Sequence, residues 1–179
     1  LTLLALDTEN VQYKIYAPNK EQHHVVNHLK GEEVAGASRN VLEEAARIAR
    51  GAIDDVANLN VDEFDALLLP GGFGVAKNFS TFAFEGSNAS VDDVVTSKVV
   101  AFNSAAKPIG AICISPALVA LAIGKNAPTL TIGSDKDTAG ELEKLGAKHK
   151  NCATSDCVVD EINKIVTTPA YMDDSANLA

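Results

Sequence analysis

A chain of 179 residues, 46% hydrophobic and 22% charged, has the composition of a globular domain and the length for one core. A net charge of −9 and a pI near 4.8 argue against a nucleic-acid backbone as partner, and no apolar run approaches the ~20 residues of a membrane span. Three cysteines, Cys113, Cys152 and Cys157, are too sparse for a disulfide scaffold and read as a reducing, cytoplasmic compartment or an organelle of bacterial origin.

In chain order, Leu1–Leu6 reads as the tail of an amphipathic helix, so an element is expected to begin before it. Val11–Ala17 alternates, is rich in β-formers and is closed by Pro18, which predicts a strand. Asn19 is a candidate N-cap for a helix through Leu29, with Gly31 as its stop. Asn40 would cap Val41–Arg50, where Leu42, Ala45, Ala46 and Ala49 share a face and Gly51 ends the helix. Phe64–Leu69 is apolar at successive positions, the pattern of a strand covered on both faces.

Residues 71–90, rich in Gly, Ser, Asn and Phe, predict a long loop, and long loops at a strand's carboxyl end often carry function. Ser90 would cap a helix over Val91–Ala106, with Val91, Val94, Val95 and Phe102 toward the sheet. Pro108–Cys113 is a strand, Pro116–Ile123 the helix after it, and Gly124 the stop. Leu130–Gly133 is a further short strand, and Thr138–Leu145 a helix ended by Gly146. Val158–Asp160 and Lys164–Thr168 read as strands joined by a tight turn at Glu161-Ile162-Asn163. Asp173 to Ala179 reads as a helix just begun. Strands alternating with helices at this spacing specify a doubly wound, parallel α/β sheet, with residues 1–179 as one domain truncated at both ends. Ligands of such sheets bind outside the carboxyl ends of the strands.

Two motifs fall at that edge. Leu69-Pro70-Gly71-Gly72-Phe73-Gly74 is a strand running into a glycine turn, and Ile109–Pro116 is a strand running through Cys113 into a helix. A strand–nucleophile–helix elbow needs small residues two before and two after the nucleophile, and these are Ala111 and Ser115. A thiol at a helix start is favoured as thiolate, whereas the bland alternative is a small buried residue at a strand end. Gly71 and Gly72 are either a simple turn or a source of backbone N–H, with that of Ile114, for an oxyanion.

The remaining candidates point to structural roles. His24 and His28 lie four apart on the predicted helix, a metal-compatible spacing, yet no third ligand presents itself and no metal is expected. His23 and His149 suggest no site. Cys152 and Cys157 are five apart, which fits neither a C-x-x-C redox site nor a zinc site, and they read as structural. Asp92-Asp93 and Asp173-Asp174 sit at predicted helix starts, where acidic residues complement the dipole.

Pro70–Gly74, Ala76-Lys77-Asn78, Cys113-Ile114-x-Pro116, Leu130–Gly133 and the run Asn163–Tyr171 resemble the ElbB family, in the ThiJ/PfpI branch of the class I glutamine-amidotransferase-like superfamily. Asn27-His28-Leu29 and Arg39–Leu42 resemble it too, so the likeness spans nearly the whole chain. It implies a flavodoxin-like fold with a nucleophile elbow, Cys113 as nucleophile, Gly71, Gly72 and Ile114 at the oxyanion and substrate site, and homodimers. It further implies a cofactor-free glyoxalase-type activity that turns a small aldehyde, glyoxal, into glycolate. Asn78 and Tyr171 are candidate pocket-lining residues, with plain packing as the alternative for Tyr171.

Two features depart from the wider ThiJ/PfpI pattern. Its acid–base Glu follows the first strand, a region expected to precede this sequence. Its usual residue after the nucleophile is His, where this chain has Ile114. Amidotransferases of this fold also carry a His and a Glu late in the chain, and the corresponding Thr167–Tyr171 has neither, so glutamine hydrolysis is not expected. A non-catalytic metabolite-binding or regulatory protein is therefore the alternative to the enzyme.

Overall fold

A computed structural model describes residues 1–173 and 176. The predicted helix from Asp173 onward lies outside the described residues, apart from Asp173 and Ala176. The chain forms two compact units, Leu1–Leu59 and Asn60–Ala179.

The first unit opens with α1 (Thr2–Thr8) and β1 (Ile15–Ala17), a shorter strand than the alternation from Val11 predicts. No helix follows Asn19. Residues 26–33 instead form a hairpin of β2 (Val26–Asn27) and β3 (Glu32–Glu33), paired antiparallel. Asn27 decides the outcome: its Oδ1 accepts from the Leu29 and Lys30 amides, and Gly31 takes φ +69 to close the turn. A short polar side chain that satisfies the local backbone competes with helix. His24 pairs through Nδ1 with Glu33 at 3.0 Å, so the predicted His24/His28 helix face does not exist. α2 (Val41–Ala49) forms where predicted. Asn40 Oδ1 accepts from the Leu42 and Glu43 amides, and Arg50 ends the helix in the left-handed region before Gly51. β4 (Ile53–Asp55) then pairs parallel to β1.

The second unit holds a four-stranded sheet in the order β5 (Leu67–Leu69), β6 (Ile109–Ile112), β10 (Ile165–Thr168), β9 (Val158–Asp160). β5, β6 and β10 are parallel, and β9 runs antiparallel at the edge as a hairpin partner of β10. The chain is therefore α/β with parallel strands, its last hairpin antiparallel. β5 is an edge of this sheet, and Leu68 is 38% exposed, which corrects the expectation of a strand covered on both faces.

The predicted loop at 71–90 contains two short helices, α3 (Phe73–Asn78) and α4 (Phe82–Glu85). Each is too short to display a helical period in sequence. α5 (Asp93–Ser104) is capped by Asp92, whose carboxylate accepts from the Val94 and Val95 amides, and not by Ser90. Val95, Val99 and Phe102 are its buried face, and Val94 points outward. α6 (Pro116–Ile123) is buried on nearly every side, as a helix of eight apolar residues must be. β7 (Thr129–Leu130), α7 (Lys136–Lys144) and β8 (Lys148–His149) complete the unit, with β7 and β8 paired in parallel. β7 is shorter than predicted because the chain leaves the ladder after Leu130. Side chains then replace strand partners: the Thr131 amide donates to Thr167 Oγ1 at 2.9 Å, and the Ile132 amide to His149 Nε2 at 3.3 Å. Burial lowers the His149 pKa and so favours the neutral acceptor, opposed by the nearby Glu143 carboxylate.

Candidate functional site

Cys113 lies between the end of β6 and the start of α6, with φ +60. The left-handed region is uncommon for a residue with a side chain and costs roughly 1–2 kcal/mol. The turn is held on both sides. The Cys113 amide donates to the Thr168 carbonyl at the end of β10, at 3.0 Å, and the Ser115 amide donates back to Ile112 O. Pro116 at the first helical position suits the fixed φ of a helix start. The thiol is half-buried.

The glycine turn after β5 comes directly against this cysteine. A Cβ at Gly71 would overlap the Ile112 carbonyl oxygen and sit 3.0 Å from Cys113 Cβ. Gly71 and Gly72 take φ +84 and +100, so these positions call for glycine by conformation, and Gly71 also by contact. Gly72 faces open space and is the cap residue of α3. Among the described residues, neither the Gly72 nor the Ile114 amide donates a hydrogen bond. Ser115, the small residue two after Cys113, is fully buried, and its hydroxyl has no hydrogen-bond partner among the described residues.

The other predicted positions are spread around this turn. Asn78 ends α3, half-buried, its Nδ2 3.6 Å from where a Gly74 Cβ would be. Tyr171 is exposed in the 3₁₀ turn after Pro169. Phe73, just after the glycine turn, is 68% exposed, and the Lys77 ammonium stands 4.8 Å from its ring centroid. In the stretch Thr167–Tyr171 both threonine hydroxyls are engaged with backbone: Thr167 Oγ1 accepts from Thr131 N, and Thr168 Oγ1 donates to Asp156 O at 2.8 Å. Of the distant cysteines, Cys152 is half-buried and Cys157 exposed. Among the described residues, no three His, Cys, Asp or Glu side chains form a cluster able to hold a metal, and no helix is long and apolar enough to cross a membrane.

Sequence reasoning passed over Asp160 altogether. It is buried, and it accepts from Thr129 N at 2.7 Å, Asn163 N at 3.0 Å and Asn163 Nδ2 at 2.8 Å. Burial pushes its pKa up, and these donors together outweigh burial and hold it below the ordinary carboxylate value. An Asp three residues before an Asn in a strand-ending turn was the available signal.

Parallel strands, a left-handed cysteine between strand and helix, and a diglycine turn packed on it are the parts of a class I glutamine amidotransferase-like domain. No protein-family model matches the chain. Among known proteins, the human mitochondrial glutamine amidotransferase-like class 1 domain-containing protein 3 is 42% identical over 97% of this chain and 68% of its own length. The mitochondrial ES1 protein homologue of Rattus norvegicus is 41% identical over 95% of this chain and 66% of its own. The chain thus spans about two thirds of these relatives. An isoprenoid biosynthesis protein with an amidotransferase-like domain from Ehrlichia chaffeensis superposes with a TM-score of 0.87 at 43% identity, over 97% of this chain and 80% of that one. A ThiJ/PfpI domain protein from Brachyspira murdochii shares the fold at 17% identity and a TM-score of 0.52, over 94% of this chain and 77% of that one. The chain belongs to the ElbB/ES1 family of class I glutamine amidotransferase-like proteins.

Proposed function

We propose that the protein is a cofactor-independent glyoxalase-type enzyme that converts glyoxal to glycolate through a hemithioacetal on Cys113. One observation carries the reading: a half-buried thiol on left-handed backbone at the carboxyl end of the sheet, against the Gly71 turn and next to amide donors without partners among the described residues. The Cys113 sulfur adds to one aldehyde carbon, and the carbonyl oxygen becomes the hemithioacetal oxygen. The Gly72 and Ile114 amides stabilise the negative charge that develops there, and one such donor is worth ~3 kcal/mol. Transfer of the carbon-bound proton to the second carbon gives a thioester of glycolate, and water releases the acid and restores the thiol. The resemblance assigns that proton transfer to a Glu. The Thr167–Tyr171 stretch carries neither the His nor the Glu that glutamine hydrolysis uses, and its two threonine hydroxyls are bound to backbone.

The relatives' names place them in mitochondria, and the same compartment or a bacterial cytoplasm suits a free thiol nucleophile. A homodimer with a small aldehyde as its ligand completes the reading. Ile114 in place of a histidine favours a second one, a metabolite-binding protein that retains the pocket without turnover. Product analysis separates them. The full-length protein should form glycolate from glyoxal, and its Cys113→Ala variant should not. No glycolate from either, with glyoxal still bound, would establish the binding protein.

A further inference from the structure

The spacing of Cys152 and Cys157 alone indicates no redox role, and the fold changes what that spacing means. Residues Ala153–Asp156 form a β-turn closed by Asp156 N donating to Ala153 O at 3.0 Å. Cys152 and Cys157 are the residues immediately outside the closing pair, one on each arm. The chain reverses direction at this turn, and the Cys157 thiol stands near enough to help raise the Cys152 pKa. A disulfide needs Cα atoms ~4.4–6.8 Å apart. The amide of Cys157 donates to its neighbour's carboxylate, Asp156 Oδ1, at 2.8 Å. The turn itself is held in two places: Thr154 Oγ1 donates to Asp173 Oδ2 at 2.9 Å, and Thr168 Oγ1 to Asp156 O at 2.8 Å. The turn borders a 410 Å³ cleft lined by Gly133, Ser134, Asn151, Cys152, Thr154 and Asp173.

The geometry points to Cys152 and Cys157 as a reversible dithiol that closes to an intramolecular disulfide across this turn when it meets a low-molecular-weight disulfide such as oxidised glutathione. The inference does not rest on the proposed chemistry at Cys113. The exposed Cys157 thiolate attacks one sulfur of the oxidant, forms a mixed disulfide and expels one thiol. The half-buried Cys152 then attacks the Cys157 sulfur, the protein disulfide forms and the second thiol leaves. Two protein thiols are oxidised, one small disulfide is reduced to two thiols, and the two protons go with them. The Cys152 thiol is pushed above its ordinary pKa by burial and by the nearby Asp156 and Cys157, so it suits the resolving step better than first attack. Closure draws Cys152 from its present contact with Ala153 O at 3.4 Å and changes one wall of the cleft. The effect has a short path to the candidate nucleophile, since Thr168 binds Asp156 through its hydroxyl and Cys113 N through its carbonyl.

The test is peptide mapping under non-reducing conditions after the full-length protein meets oxidised glutathione, in the wild type and in a Cys113→Ala background. The expected product is a Cys152–Cys157 linked peptide, with both thiols of the Cys113→Ala protein lost to alkylation and regained with dithiothreitol. C152S should stop at the Cys157–glutathione mixed disulfide, and C157S should stay largely unmodified at Cys152. A stable mixed disulfide at Cys157 in the wild type, a linked Cys113–Cys152 peptide, or no loss of alkylation would each overturn the proposal.

Discussion

At the amino-terminal end of β10 the chain turns through Asn163 and Lys164, and the buried Asp160 carboxylate takes up three donors there. At the opposite end of the neighbouring β6 it turns through Cys113, and what is left over is two amides and a buried hydroxyl without partners among the described residues. Both turns use a non-glycine residue in the left-handed region, Lys164 at φ +54 and Cys113 at φ +60. Strain alone therefore does not mark a site. The buried Ser115 hydroxyl beside the strain does, because a buried group without a partner costs about 1–3 kcal/mol and is kept where something else can satisfy it.

The largest expected effect is on the Cys113 side. Cys113→Ala should lower glyoxal turnover by at least ~10²-fold, since a covalent path has no substitute nucleophile. Its fold should survive, because Ala fills most of the same space. Cys113→Gly should be equally inactive and about 1 kcal/mol more stable than Cys113→Ala in denaturant melts, as glycine removes the left-handed penalty. A Cys113→Ala protein with wild-type turnover would remove chemistry from this edge. Limited iodoacetamide treatment gives a milder version of the same comparison. Cys113 should label ahead of Cys152, whose thiol is pushed up by burial and then by Asp156 and Cys157.

On the opposite edge the expectation reverses. Asp160→Ala leaves the Thr129 and Asn163 amides without an acceptor and should cost about 2–4 kcal/mol of stability with turnover per folded molecule unchanged. The pH dependence follows in sign. The folded-state pKa of Asp160 is depressed, so its contribution is complete above the unfolded carboxylate value, ~3.9, and is lost as pH falls through the lower folded one. Acid melts of the wild type should steepen in that window, and melts of the variant should not.

The sequence made some of this contrast readable. The limits of α6 follow from Pro116 and Gly124, and α2 from Asn40 and Gly51, because cap chemistry is local. Cys113 with Ala111 and Ser115 marked the strand–helix junction for the same reason. What stayed hidden depended on partners far along the chain. β4 is three residues, Ile53-Asp54-Asp55, with one apolar position, and only pairing with β1 makes it a strand. The Gly71–Cys113 contact spans two strands, and no local pattern reveals that the glycine is required by the Ile112 carbonyl oxygen of the neighbouring strand. The turn at Glu161-Ile162-Asn163 was legible, and the carboxylate that organises it was not, since its third donor comes from Thr129.

The smallest expected effect sharpens the comparison most, because it sets two fully buried hydroxyls of the same unit against each other. Thr167 Oγ1 accepts from the Thr131 amide at 2.9 Å, whereas Ser115 Oγ has no partner among the described residues. Thr167→Val keeps the shape and strands a backbone N–H, so it should cost about 1–3 kcal/mol. Ser115→Ala removes an unsatisfied polar atom from a fully buried place and should be neutral or stabilising by up to ~1 kcal/mol. If the hydroxyl is held in reserve for the turn at Cys113, the variant should alkylate at Cys113 at a changed rate even though its melt is unchanged. Equal melts and equal alkylation would make Ser115 a small residue and nothing more. A loss of stability like that of Thr167→Val would mean that its hydroxyl has a partner in solution, and the contrast between the two edges would then rest on the Gly72 and Ile114 amides alone.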